Sequence, residues 1–128
     1  MKIAAAIAGG LLGLLFIAFS LMVLLHLGPT PPPPSADSAA GKFMAAFGPT
    51  GYLTFVKVCE LIGGILVAIP KTRNFGLLVL GPIIINILAF HIFVTGGEGL
   101  VNPVILAIVA LPIFLLWAGR RQFAALRN

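Results

Sequence analysis

Of the three acidic residues in this chain, one stands inside an apolar stretch: Glu60, three residues after Lys57. That spacing puts both side chains on one face of a helix, close enough to form an ion pair. Alone in lipid, either charge costs at least about 2.5–3.5 kcal/mol on insertion scales, so pairing is expected. The next apolar stretch carries Asn86 and His91, and the first ends near His26. A protonatable histidine and glutamate inside an apolar pocket suit proton-coupled chemistry. Together Lys57, Glu60, Asn86, His91 and His26 form a candidate ligand-binding set for a lipophilic small molecule. A quinone suits them, because its reduction takes up protons. The plainer alternative is structural: the ion pair locks helix register, His91 is a satisfied hydrogen-bonding residue, and Asn86 bridges helices.

The elements that must position these groups follow from hydropathy. Sixty per cent of the residues are hydrophobic and 9% are charged, against roughly 25% charged in a soluble domain. A chain of this length hides only about 60–70% of its surface on folding, so much of the apolar side chain must face lipid. Four apolar runs stand out, at 3–27, 52–69, 74–94 and 102–119. Each approaches the roughly 20 residues needed to cross about 30 Å of hydrocarbon, and none alternates as a barrel strand does. The predicted fold class is therefore all-α, a single-domain bundle of four transmembrane helices over residues 1–128. The first run is about twice the usual 7–15-residue secretory core and is expected to remain as a span.

The connection 28–51 opens with Gly28-Pro29-Thr30 and continues through Pro31–Pro34, which excludes helix and favours an extended spacer. Lys42–Phe47 then places Phe43, Met44 and Phe47 on one side of a short interfacial helix, closed by Gly48-Pro49. Tight turns are expected at 70–73 and 95–99. Lys2, Lys71, Arg73, Arg120, Arg121 and Arg127 fall at one side of the bilayer, and only Lys42 outside the helices at the other. The positive-inside rule therefore places both termini in the cytoplasm of a cell with this protein in its inner membrane. The net charge of +5 is distributed at the ends of apolar runs, which points to a lipid bilayer rather than a nucleic acid.

Depth brings the polar residues together. At 1.5 Å per residue, Lys57 lies about 8 Å and Glu60 about 12 Å below the outer end of their helix; Asn86 and His91 lie about 12 Å and 5 Å below theirs. The other half of the bilayer holds small residues: Gly9 and Gly13 in the first helix, Gly64 and Ala68 in the second. Such residues let helix backbones approach. A bundle tight at one end and polar at the other should enclose a pocket or vestibule opening outward. The Gly9/Gly13 pair has a second reading, homo-oligomerisation through the first helix. Cys59 is a lone thiol in an apolar helix, with no partner for a disulfide and the character of a packing residue. There is no phosphate loop, dinucleotide fingerprint, metal-ligand spacing or nucleophile–base pair, so no reaction is assigned and no metal is expected.

The pattern Lys57-x-x-Glu60-x-x-Gly63-Gly64-x-Leu66, with Pro82-x-x-x-Asn86-x-x-x-Phe90-His91 and a terminal Trp117 followed by basic residues, resembles the DoxX-like family of small four-helix membrane proteins. The resemblance spans nearly the whole chain. It implies a four-helix bundle in a bacterial inner membrane and a link to quinone-dependent or membrane-anchored redox systems. Three function classes follow. The first is a binder of a quinone-like or other lipophilic molecule, working with a membrane or soluble redox protein. The second is a non-catalytic accessory or scaffold subunit of a larger membrane complex. The third, a small transporter, ranks last because no internal repeat is present.

Overall fold

A computed structural model describes residues 1–29 and 31–127; Thr30 of the proline-rich connection and Asn128 at the chain end lie outside the described residues. Among the described residues six α-helices follow in order: α1 (Lys2–Leu24), α2 (Ala39–Phe47), α3 (Tyr52–Ala68), α4 (Arg73–Ala89), α5 (Pro103–Ala118) and α6 (Arg120–Ala124). A π-helical turn, Phe90–Val94, continues α4. No strand occurs among the described residues. The chain is thus all-helical, and two of its helices, Lys2–Leu24 and Arg73–Val94, are long and apolar enough to cross a membrane. The pair α2 and α3 makes a third apolar unit bent by 91° at its break. α5 is apolar but shorter, and α6 lies beyond the expected end of the last run.

Local chemistry sets the boundaries. α1 stops three residues before the expected Leu27, because His26 takes a left-handed φ of 54°. The Leu27 N–H then donates to the Met22 carbonyl and the His26 N–H to the Val23 carbonyl. This double bond pattern satisfies the last carbonyls of a helix and usually has glycine where His26 stands. α2 starts earlier than Lys42, since the Ser38 hydroxyl accepts from the Gly41 N–H at 3.0 Å and so caps the helix. Thr50 then joins α2 to α3, donating to the Phe47 carbonyl at 2.7 Å and accepting from the Tyr52 N–H at 3.2 Å. Between α3 and α4 the Thr72 hydroxyl donates to the Leu66 carbonyl at 2.8 Å. At α5 the Asn102 side chain accepts from the Val104 N–H at 2.8 Å, with Pro103 in the first helical position.

One core joins all four long helices: Ala5, Ala8, Leu12 and Phe16 of α1, Val67 of α3, Leu77, Leu80 and Ile84 of α4, Ile108 and Leu115 of α5. α3 sits between α1 and α4, and α5 packs chiefly on α1. Small residues set the closest approaches. A Cβ on Gly13 would lie 2.6 Å from the Gly64 carbonyl oxygen and 2.7 Å from the Ala68 Cβ. A Cβ on Gly76 would collide with the Val67 backbone nitrogen, so α3 and α4 touch main chain to main chain there. Within the chain, Gly13 faces Gly64 and Ala68 of α3, and Gly9 faces the Val67 carbonyl of α3 and the Arg73 side chain of α4.

Candidate functional site

Away from the Gly63–Gly76 contact, α3 and α4 part, and α2 folds across the opening. The result is a cavity of about 500 Å³ between the three helices. α3 contributes Tyr52, Leu53, Phe55, Val56, Lys57 and Glu60; α4 contributes Pro82, Ile83, Asn86 and Ile87; the π turn contributes Phe90 and His91, and α2 contributes Phe43 and Met44. The volume falls within the range of about 300–1,000 Å³ usual for small-molecule sites, and the wall is mostly apolar with a few convergent polar groups.

Lys57 Nζ and Glu60 Oε2 are 2.9 Å apart, on one face of α3 as their spacing requires. The partners are unequally buried: the Glu60 side chain is 5% exposed and that of Lys57 28%. Glu60 is thus fixed inside the protein, while the longer lysine stays partly open to solvent. His91 Nδ1 lies 2.8 Å from the Ile87 carbonyl oxygen. A carbonyl only accepts, so Nδ1 carries the proton, and in the neutral ring Nε2 keeps a free lone pair. Asn86 is exposed on the cavity wall.

The π turn presents His91. Its wider winding, with the Thr95 N–H donating to the Phe90 carbonyl at 3.1 Å, leaves the His91 carbonyl free of the ordinary ladder. That carbonyl instead accepts from the Gly97 N–H at 2.6 Å and the Thr95 hydroxyl at 2.8 Å, which ties the α4–α5 loop back onto the site. Such π turns recur at functional positions in helices. Gly99, at φ 84°, lets the loop pass close to the imidazole: a Cβ there would lie 3.2 Å from its Cδ2. Aromatic side chains line one wall in a chain. Phe90 meets His91 at 5.8 Å and Phe43 at 5.2 Å, Phe43 meets Phe47 at 4.9 Å, and Phe47 meets Tyr52 at 5.2 Å. These are separations at which ring edges and faces attract.

Four of the five sequence-predicted residues, Lys57, Glu60, Asn86 and His91, therefore line one cavity. His26 does not. It is exposed in the turn that ends α1, where its left-handed backbone, and not its imidazole, is what the fold uses. The cavity is a cleft of α3 and α4 roofed by α2, and neither α1 nor α5 lines it. Phe43 and Phe90 were missed as site residues. The cue available for Phe43 was its place beside Met44 on the apolar side of the short helix; for the π turn, no local signal marks Phe90–Val94.

The fold and site thus define an all-helical protein with apolar helices of membrane-crossing length and an ion pair beside an apolar cleft. Among known proteins, the chain is 30% identical over 95 residues to the uncharacterized protein YwoB of Bacillus subtilis (strain 168), a match that covers 70% of this chain. The chain spans about 60% of that relative's length. No protein-family model matches the chain. No solved structure matches it.

Proposed function

We propose that this is a DoxX-like protein of a bacterial inner membrane that binds a quinone-like lipophilic ring in the cleft between α3 and α4, as a subunit of a membrane redox system. The observation that carries this reading is the Lys57–Glu60 pair, with its carboxylate buried, in an apolar cavity that also holds His91 and Asn86. Burying a carboxylate costs several kcal/mol of desolvation, and intramembrane ionisable groups are functional candidates by default. The Lys57 ammonium and the Asn86 amide are suited to hold carbonyl oxygens, His91 and Glu60 to exchange protons, and Phe43 and Phe90 to flank a planar ring. Electrons would come from a partner protein. Lys57, Glu60, Pro82, Asn86, Phe90 and His91 of the DoxX-like pattern line the cleft.

Four crossings fit this reading, with both termini cytoplasmic. α3 reaches about 26 Å over 17 residues and α5 about 24 Å over 16, slightly less than a bilayer core of about 30 Å at 1.5 Å per residue. Local thinning and snorkelling of flanking basic residues accommodate shortfalls of that size. The test is to purify the protein from native membranes in mild detergent and analyse bound lipids by mass spectrometry. A quinone near one per chain, lost when Lys57→Met and Glu60→Gln are combined, is the expected outcome. A stoichiometric protein partner without any enriched quinone would instead favour the accessory-subunit reading.

A further inference from the structure

At the other end of the helices, a second cavity of about 460 Å³ opens between the start of α1, the start of α4 and the end of α5. Lys2, Arg73, Asn74 and Gln122 supply polar groups to its wall, and Ala6 and Ala118 apolar ones. Arg73 is the unusual member. Its Nε and Nη2 are shut off from solvent and have no hydrogen-bond partner among the described residues. The side chain lies over Gly9, whose added Cβ would stand 2.6 Å from Nε. That glycine is what admits the guanidinium between the helices.

A guanidinium so placed calls for an anionic acceptor, and no carboxylate side chain of this protein is placed to supply one. Its acidic residues are Asp37, Glu60 and Glu98. Glu60 is paired with Lys57, and the other two belong to the loops at the opposite end. Lys2 adds a second positive charge to the same wall. We infer that this cavity binds a phosphate group through Arg73 and Lys2, and that the phosphate is the headgroup of a membrane phospholipid whose chains follow the apolar seam between α1 and α5. Arginine suits this task because its planar fork matches two phosphate oxygens at once. The apolar part of the wall, Ala5, Ala6, Leu115 and Ala118 at the ends of α1 and α5, favours a lipid over a free anion.

The experiment uses the delipidated full-length chain in maltoside detergent, titrated with dioctanoyl phosphatidylglycerol, dioctanoylglycerol or inorganic phosphate, and read by native mass spectrometry and thermal melting. Phosphatidylglycerol is expected to bind at one saturable site and raise the melting temperature, and dioctanoylglycerol to do neither. Arg73→Gln should weaken that binding by roughly tenfold or more, as loss of a charge-assisted hydrogen bond does. Lys2→Gln alters only an exposed side chain, so it keeps the fold and should weaken binding by a smaller factor even where Arg73→Gln fails to fold. Lys42→Gln, at the opposite end, should leave binding unchanged. Inorganic phosphate binding as tightly as the lipid would support the phosphate site and assign it to a free anion. Dioctanoylglycerol binding as tightly as phosphatidylglycerol, wild-type affinity in both Arg73→Gln and Lys2→Gln, or the absence of a saturable site would overturn the inference.

Discussion

Neutralising the two members of the Lys57–Glu60 pair one at a time should produce unequal damage, because they are unequally buried. Lys57→Met leaves a carboxylate that is 5% exposed and has nowhere to go. An orphaned buried charge of this kind typically costs about 3–5 kcal/mol. Glu60→Gln leaves an ammonium that is 28% exposed on a flexible stem. That group can snorkel toward the cavity mouth, so the loss should approach the value of about 0–1 kcal/mol seen for exposed pairs. The double variant removes both charges and should be more stable than Lys57→Met alone, with a coupling energy of about 1–3 kcal/mol. Equilibrium unfolding of the detergent-purified protein in mixed micelles, followed by circular dichroism, measures all four corners of the cycle. Equal losses in the two single variants would refute the burial reasoning, and strictly additive losses would show that the pair is not coupled. Quinone retention separates the roles: a structural pair predicts binding restored in the double variant, and a functional one predicts stability regained with binding still lost.

Other consequences follow from individual contacts. Gly76→Ala should destabilise by about 1–3 kcal/mol through overpacking against the Val67 backbone, whereas Gly10→Ala, which meets nothing within 4 Å, should stabilise by up to about 1 kcal/mol through helix propensity; thermal melts of both compare the two effects. His26→Gly should stabilise α1 by about 1 kcal/mol, since an L-residue pays about that much in the left-handed region, and should leave ligand binding in the cleft unchanged in a quinone titration. Phe43→Ala should weaken quinone binding several-fold without unfolding the bundle, because Phe43 packs on Phe90 from outside the core. For topology, a cytoplasm-active reporter fused after Asn128 and a periplasm-active one inserted within Ser35–Gly41 should both give signal; silence at either position would reverse the proposed orientation.

Much of this molecule is legible without coordinates. The all-helical class and the position of each apolar helix follow from run length and composition, because a lipid-facing backbone must satisfy its own hydrogen bonds. The Lys57–Glu60 pair follows from a spacing of three and the penalty on a lone charge in lipid. The common depth of Glu60, Lys57, Asn86 and His91 follows from counting 1.5 Å per residue along two antiparallel helices. All of these are local quantities or simple sums of them.

What only the tertiary structure decided is how the helices are rotated and which gaps their packing leaves. α4 and α5 are apolar on every side, so no periodicity tells which face meets the core. The main-chain contact of Gly76 with Val67 settles the facing of α4, and with it the cleft that opens beyond the contact. The 91° bend between α2 and α3 brings Phe43 to the wall of that cleft. His26 leaves the site because a hydrogen-bonded turn three residues short of the expected helix end carries it away. Arg73 reads in sequence as one more basic residue in a turn; its inward course over Gly9 depends on where α1 sits, and that is fixed by residues more than sixty positions earlier in the chain. A pattern of residue types specifies depth and direction along each helix, but the contacts across helices belong to the packed assembly.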